Sequence, residues 1–269
     1  MIDALISFFK PSNRSLIREL VVSDFKLRYK NSILGYFWSL LKPLLLFGVL
    51  YFVFTKVVRI GGDVPYYPAY LLLGLVMWTF FVEATTSGMN SVMARGDMIR
   101  KVSVPKYVIV LSTTISALVN FSLNMVVVFI FMMLNDVTLR PTILIAPILI
   151  IELIIFSLSI GALLAALFVK YRDFSHIWEV ALQILFYATP IIYTLNFPPL
   201  NIAKLISINP LTQIFQDMRV LLIDPQVLTN RDVFQSQVGH IIPISIVFLL
   251  AVIAIWYFKR SSPNFAEEL

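Results

Sequence analysis

Polar side chains that could do chemistry lie inside the longest apolar segments of this sequence. Asn120 and Asn124 follow Thr113 and Ser116 at spacings of three and four residues, and Glu83 lies in another apolar segment. Residues at these spacings share one face of a helix, and an ionisable group at membrane depth usually faces a bundle interior or a watery cavity. The pattern favours either hydrogen bonds between helices or the wall of a path for a polar substrate, and both alternatives stay open.

The residues required for covalent catalysis do not come together in the sequence. His176 and His240 lie at opposite ends of different apolar segments, no Ser/His/Asp arrangement or carboxylate pair can be identified, and cysteine is absent. The pattern Gly-x-x-x-x-Gly-Lys-Ser/Thr, whose backbone holds the phosphates of ATP, is also missing. We therefore expect a chain that is not an enzyme and that binds no metal or cofactor itself.

The composition is that of a helical membrane protein. Hydrophobic residues make up 59% of the 269 residues, charged residues make up 13%, and the mean hydropathy is +0.88, whereas roughly a quarter of the residues of a soluble domain are charged. The apolar runs approach or exceed about 20 residues, which is long enough to cross a hydrocarbon layer of about 30 Å. We predict one all-α domain whose bundle, residues 33–258, has six transmembrane helices: Ile33–Val58, Pro68–Val92, Tyr107–Leu134, Thr142–Val169, His176–Leu195 and Ile241–Phe258.

Lysine and arginine are distributed unequally between the two sides of this bundle. The segments before the first crossing, between the second and third, between the fourth and fifth, and after the sixth hold fourteen of them. The other connections hold six, with Lys42 left aside at the start of the first crossing. Because cytoplasmic connections are enriched in Lys and Arg, both chain termini are predicted to be cytoplasmic.

Two of these cytoplasmic segments combine charge with apolar side chains. Ser12–Lys30 predicts an amphipathic helix at the membrane interface, which either anchors to lipid headgroups or docks on protein. In residues 93–106, Met98 and Ile99 are typical of a buried surface. This segment either forms a short helix that offers an apolar ridge to a soluble partner or is tucked under the bundle.

The outer connection, residues 196–225, contains apolar pieces that are too short to cross. Pro199–Ile206 and Leu211–Ile223 are separated by Asn209-Pro210, where proline disfavours helix in the preceding residue. In the second piece the polar residues lie opposite an apolar face. We expect short helices that re-enter the outer interface and cap a path, because backbone at membrane depth must be covered by protein or line a cavity. An amphipathic helix resting on the outer leaflet is the alternative.

Four motifs, in this order along the chain, resemble the permease subunits of ABC exporters for polysaccharides. They are LRYKNSILGYFWSLLKPL at Leu27–Leu44, YRDF at Tyr171–Phe174, LFYATPIIY at Leu185–Tyr193, and Asn209-Pro210 before an amphipathic piece. That family moves O-antigen, capsular polysaccharide and wall teichoic acid, usually as lipid-linked chains. Lys42-Pro43 departs from the family pattern, in which we expect asparagine before the proline.

The resemblance implies a homodimer of this chain with two separate ATPase subunits, which carry the ATP and Mg. It implies a coupling helix in residues 93–106 beside the interface helix Ser12–Lys30. The residues expected to contact the ATPase are Arg14, Arg18, Arg95, Asp97, Met98, Ile99, Arg100 and Lys101. The first and fifth crossings would form a channel wall and a lateral opening for the glycan, and the outer helices would act as a gate.

The resemblance and the polar faces together indicate which residues lie along the path. They are Tyr36, Phe37, Trp38, Glu83, Asn120, Asn124, Phe186, Tyr187 and Tyr193. An interfacial belt or core packing explains the aromatic residues as well as stacking on sugar rings does.

The expected function is ATP-driven export of a lipid-linked polysaccharide or teichoic acid across the plasma membrane of a bacterium. Membrane lipids are expected partners, and nucleic acid is not. Two alternatives stay open: an ABC permease that exports a small drug or lipid, and an integral-membrane glycan-processing enzyme.

Overall fold

The computed structural model describes residues 11–28, 35, 37–59, 64–101, 104–138 and 140–268, and no β-strand occurs among them. In chain order the helices are α1 Pro11–Arg28, α2 Phe37–Phe52, α3 Tyr67–Ala94, α4 Gly96–Lys101, α5 Lys106–Leu134, α6 Ala146–Lys170, α7 Phe174–Ala188, α8 Leu200–Ile206, α9 Pro210–Leu222, α10 Asn230–Phe234, α11 Val238–Ser261 and α12 Phe265–Glu268. A π-helical turn, Val53–Val57, follows α2, and 3-10 turns precede α6 and follow α11.

Five helical stretches among the described residues are long and apolar enough to cross a membrane. They are Phe37–Val57, Tyr67–Ala94, Lys106–Leu134, Pro141–Lys170 and Val238–Asn264. The predicted class, an all-α membrane protein with several spans, is therefore confirmed. Both short helices expected between the last two predicted crossings are present, as α8 and α9.

The predicted fifth crossing, His176–Leu195, is not one continuous helix. α7 has 15 residues, and at 1.5 Å per residue it rises about 22 Å, less than the hydrocarbon layer of about 30 Å. The helix stops at Ala188 because Thr189 takes extended backbone angles, φ −107° and ψ 134°. Such angles are expected for a residue that precedes a proline, here Pro190.

α3 is the central helix of the bundle, and side chains along its whole length are buried. It packs against both α5 and α6. Gly88 and Gly161 let α3 and α6 approach closely, since a Cβ atom at Gly88 would lie 3.0 Å from the Gly161 Cα atom. The small-residue stripe of Ser157, Gly161 and Ala165 thus serves helix packing.

The two ends of the bundle carry different short elements. The cap, residues 189–234, includes α8, α9 and α10 and packs against the first turns of α3. The base, made of α1, α4 and α12, lies about 40 Å away at the other end of α3. α1 docks on protein in the base, because Ile17 and Leu20 are buried against Val108 of α5.

Three helices leave much of their apolar surface uncovered. α2 and α11 bury few side chains, and no residue of α7 is fully buried. Exposed examples are Leu45 on α2, Ile184 on α7 and Phe248 on α11. Apolar surfaces of this extent are typical of contact with lipid or with another chain.

Candidate functional site

The interrupted end of α7 is held by side chains from two other helices. The four carbonyl groups of residues 190–193 each accept a hydrogen bond from α3 or α9. Arg219 donates to the first two, at 2.6 and 3.0 Å, Tyr67 donates to the third at 2.8 Å, and Tyr70 donates to the fourth at 3.1 Å. Because buried carbonyls need partners, these side chains replace the hydrogen bonds that a continuing helix would have made.

Arg219 lies inside the cap without an acidic partner. Its side chain is fully buried, and no carboxylate among the described residues forms an ion pair with it. The Gln216 Oε1 atom accepts a hydrogen bond from it at 2.6 Å, and the Tyr70 carbonyl accepts one at 3.3 Å. Its Cζ atom lies 3.4 Å from the centroid of the Tyr70 ring. Oxygen dipoles and an aromatic face therefore compensate a charge that would otherwise be costly to bury.

The absence of a side chain at Gly74 leaves room for this guanidinium. A Cβ atom at Gly74 would lie 2.5 Å from the Arg219 Nη2 atom. Gln216 also accepts a hydrogen bond from the Tyr70 hydroxyl at 3.2 Å and donates to the Leu228 carbonyl at 2.9 Å. We refer to the side chains of Tyr67, Tyr70, Gln216 and Arg219, with residues 190–193, as the Arg219 network.

Sequence reasoning placed the polar residues of α9 opposite its apolar face and did not predict what they contact. Gln213, Gln216 and Arg219 are at most 1% exposed, so both sides of α9 are inside the protein. This burial contradicts the alternative of an amphipathic helix resting on the outer leaflet. The available signals were Pro190 inside an apolar run and two tyrosines, Tyr67 and Tyr70, at the start of α3.

A second polar group of the cap connects α9 with α6 and α11. Gln213 donates to Asp217 at 2.8 Å and to Glu152 at 3.4 Å. His240 lies 3.0 Å from the other carboxylate oxygen of Asp217. Glu152 of α6 thus accepts a hydrogen bond from α9.

α10 begins with a capping box that involves Thr229 and Asp232. The Asp232 carboxylate accepts hydrogen bonds from the Thr229 backbone N–H at 2.8 Å and from its hydroxyl at 2.6 Å. These hydrogen bonds, chiefly the one from the hydroxyl, lower the pKa of Asp232.

The polar face predicted on the third crossing lies between helices. Asn120 donates to Glu83 at 2.7 Å, and Asn124 donates to the Ser39 carbonyl at 3.2 Å. Asn120 and Asn124 are 4% and 5% exposed. Hydrogen bonding that connects α2, α3 and α5 is observed for these residues, and their position along a path for substrate stays a prediction.

The predicted aromatic residues occupy different environments. Phe37 and Trp38, at the start of α2, are about half exposed, and Tyr36 lies outside the described residues. Phe186 packs on Trp78 of α3 with a centroid distance of 5.5 Å. Tyr187 is 72% exposed.

Tyr193 joins the link after α7 to the end of that helix. Its hydroxyl donates to the Tyr187 carbonyl at 2.9 Å. The ring is partly buried. Tyr193 therefore stabilises the interrupted end of α7, and its contact with substrate stays a prediction.

A row of exposed polar side chains on α7 was not singled out from the sequence. His176, Glu179, Gln183 and Tyr187 follow one another at spacings of three and four, so they share one face, and all four are exposed. The opposite face of α7 packs on α3, through Trp178 among others. We refer to these four residues as the polar stripe; its helical spacing was visible in the sequence.

The base brings the predicted coupling segment against the bundle as a short helix, α4. Arg95, just before it, pairs with Asp24 of α1. Met98 is partly buried and packs against the bundle and α1. Ile99 is buried among side chains of the bundle, so this residue is tucked under the bundle. Among the described residues of α4, neither Met98 nor Ile99 presents an exposed apolar side chain.

Other predicted coupling residues remain on the surface of the base. These exposed residues are Asp97, Arg100 and Lys101 on α4 and Arg14 and Arg18 on α1. The polar and charged part of the segment is therefore available to a partner, while its apolar part fixes the helix in place.

The chain matches the family model described as ABC-2 type transporter over residues 15–223. It belongs to the ABC-2 type transporter family. This family consists of permease subunits of ABC transporters rather than enzymes, and membership implies an ATPase partner. The matched residues run from Ser15 in α1 to Ile223 after α9. They therefore include the polar stripe, the Arg219 network and, in the base, α4 and most of α1.

Two named relatives are similar along almost their whole length. An O-antigen export system permease protein RfbA of Klebsiella pneumoniae is 29% identical over 253 residues, which cover 91% of this chain and 92% of the relative. A protein with the same name from Myxococcus xanthus is 26% identical over 262 residues, which cover 95% and 96%. The resemblance to polysaccharide export permeases is thereby confirmed at the level of the family.

Proposed function

We propose that this chain is the permease subunit of an ATP-driven exporter that moves a lipid-linked polysaccharide out of a bacterial cell. The observation that carries the proposal is the polar stripe of α7. Polar and ionisable side chains at membrane depth avoid lipid and face protein or water, yet the amide Gln183 and the carboxylate Glu179 are exposed on this chain. A water-filled path beside α7 satisfies them, and the relatives named for O-antigen export support a glycan as its cargo.

The base faces the cytoplasm and the cap faces outward in this proposal. The excess of Lys and Arg in the connections at the base supports that orientation. α7 and the link after it together form the fifth of six crossings, and α8 and α9 re-enter from outside as a gate. Backbone that leaves the helix at that depth is tolerated because protein covers it.

Two copies of the chain enclose the path between them. The exposed apolar surfaces of α2 and α7 are suited to contact with the second copy, and the two polar stripes then face each other across the path. Phe37, Trp38 and Tyr187 supply exposed aromatic faces on which sugar rings can stack.

Motion originates at the base. Closure of two ATPase subunits around ATP displaces α4 through the exposed side chains of Asp97, Arg100 and Lys101. The bundles separate, the lipid-linked glycan enters sideways past α2, and its chain passes outward along the polar stripe. The permease itself performs no covalent chemistry and binds no nucleotide.

The test replaces the polar stripe with apolar side chains. In the double variant Glu179→Leu and Gln183→Leu, reconstituted with the ATPase, we expect assembly and ATP hydrolysis to persist. Export of a defined lipid-linked glycan should fall about tenfold or more, because each tenfold corresponds to only about 1.4 kcal/mol of lost interaction. The readout is glycan transferred into the lumen of inverted vesicles.

The matched control is the double variant Val252→Leu and Ile255→Leu, on exposed apolar positions of α11, a helix that has no part in the proposed path or in the contact between copies. Its export should equal that of the unmodified chain. Equal export by both double variants would contradict a path along α7. Transport of a small amphiphile without any glycan transport would instead support the alternative of a drug or lipid exporter.

A further inference from the structure

The helix that follows the last span reaches under the bundle and contacts α4. Phe265, the first residue of α12, is fully buried, and its ring meets that of Phe258 edge to face at a centroid distance of 5.5 Å. α12 also contacts α6. These residues lie beyond the part of the chain that matches the family model.

Phe265 belongs to the same apolar cluster as the coupling residue Ile99. The basal cluster joins the ends of α3, α4, α5, α6, α11 and α12 through Val92, Ile99, Ile109, Val110, Ala165, Ala166, Val169, Phe258 and Phe265. The rings of Phe258 and Phe265 are seven residues apart, two helical turns, and so project from the same side. The 3-10 turn Ser262–Asn264 continues α11 toward this position.

α4 cannot hold its own position. It has six residues, and isolated helices shorter than about 12 residues are marginal in water. Ile99 is its buried side chain, so the packing around Ile99, together with the contact of Met98 with α1, fixes where α4 lies. Two groups supply that packing from outside α3 and α5: side chains of α6, and the rings at the end of α11 and the start of α12.

We propose that Phe265 is a positioning residue for α4, which ties the coupling helix to the last span. A displacement of α4 by the ATPase is then passed to α11 as well as to α3, which continues directly into α4. The inference rests on the proposed function only in that α4 is the element the ATPase moves. The position of α4 relative to Phe265 is independent of that function.

The first experiment measures α4 directly and needs neither substrate nor ATPase. The chain has no cysteine, so Arg100→Cys accepts a single spin label on the exposed side of α4. In the purified full-length chain we expect Phe265→Ala to increase the mobility of this label. Phe265→Leu, which keeps an apolar side chain in the cluster, should restore most of the immobilisation.

Phe215→Ala is the matched control, because Phe215 is also a fully buried phenylalanine but lies in the core cluster away from α4. It should lower the thermal stability about as much as Phe265→Ala and leave the label on α4 unchanged. Equal label mobility in Phe265→Ala and the unmodified chain would overturn the inference. Equal mobilisation by Phe215→Ala and Phe265→Ala would also overturn it, because the effect would then be general loosening.

The second experiment measures the ratio of glycan exported to ATP hydrolysed in the complex with the ATPase. For Phe265→Leu we expect this ratio to stay near that of the unmodified chain. For Phe265→Ala we expect a drop of about tenfold, which a change of about 1.4 kcal/mol in one activation barrier is enough to produce. An unmodified chain that binds no ATPase would defeat the proposed function and leave the label result standing. An unaltered ratio in Phe265→Ala, with export intact, would defeat only the role of Phe265.

Discussion

The cap and the base close the two ends of one helical bundle with opposite chemistry. In the cap, a buried arginine and two tyrosines hold four consecutive carbonyl groups through directional hydrogen bonds. In the base, Ile99, Phe258 and Phe265 meet in a cluster of apolar side chains. The cap is therefore held by specific hydrogen bonds, and the base is held by the packing of apolar side chains.

This difference between hydrogen-bonded and apolar packing determines how each end of the bundle responds to a displacing force. Directional hydrogen bonds in a buried polar network rigidify it and specify one arrangement. Hydrophobic attraction has no direction, and apolar cores tolerate swaps that conserve volume. We therefore expect the helices of the base to move relative to one another without losing their apolar contacts when a partner displaces them. The cap should keep one geometry until the hydrogen bonds of the Arg219 network are broken.

The largest effect is expected from removal of the charge that organises the cap. Arg219→Ala leaves the carbonyls of Pro190 and Ile191 without the donors they have now, and each buried acceptor left unpaired typically costs about 1–3 kcal/mol. The yield of monodisperse chain in detergent and its melting temperature should both fall sharply. Arg219→Lys should recover only part of the loss, because a lysine cannot present the planar fork. A melting temperature unchanged in Arg219→Ala would show that the cap does not depend on the network.

A smaller effect follows from filling the space in which the guanidinium lies. Gly74→Ala places a Cβ atom 2.5 Å from Nη2 of Arg219, and overpacking of this kind typically costs about 1–3 kcal/mol. Gly48→Ala is the matched control, because nothing lies within 4 Å of a Cβ there. Glycine destabilises a helix interior by about 1 kcal/mol relative to alanine, so the control should melt no lower than the unmodified chain. The comparison fails if both variants melt alike.

The base should tolerate a loss of volume that keeps its apolar character. Ile99→Val removes one methylene from the basal cluster, and such changes typically cost about 0.5–1.5 kcal/mol. We expect a modest fall in melting temperature and almost unchanged stimulation of the ATPase. Ile99→Asp, in contrast, buries a carboxylate without a partner, so its effect on coupling would not separate docking from unfolding. Loss of assembly in Ile99→Val would place Ile99 in the contact with the ATPase after all.

The sequence predicted the helices of the base and the cap better than the tertiary contacts that hold them in place. Amphipathic spacing identified α1, and the break at Asn209-Pro210 identified α8 and α9, because these signals are local. The interrupted fifth crossing was hidden because its apolar run continues past Pro190, so hydropathy alone could not show where the helix ends. The partner of each freed carbonyl lies far away in sequence: Tyr67 is 125 residues from Ile192.

In the candidate site, too, helical spacing could be predicted from the sequence, whereas contacts between residues far apart in the sequence could not. The spacing of Asn120 and Asn124 revealed a polar face, but periodicity cannot say whether another helix or water lies against it. The sequence indicated that Ile99 is of the type that is usually buried. Only the three-dimensional packing of the base shows that other helices of the same chain bury it. The polar stripe was readable from spacing alone, since His176, Glu179 and Gln183 occur at helical intervals.

The smallest effect concerns pH and separates α10 from the rest of the cap. The hydrogen bond from the Thr229 hydroxyl lowers the pKa of Asp232 in the folded chain. A lowered folded pKa means that this stabilisation is present above the unfolded value, about 3.9, and is lost as the pH falls through the folded pKa. Asp232→Asn removes this titration, so its melting temperature should fall less than that of the unmodified chain when the pH is lowered from 5 to about 3. Identical pH profiles would mean that the capping box of α10 adds nothing measurable, and that the Arg219 network, which contains no carboxylate, carries the stability of the cap.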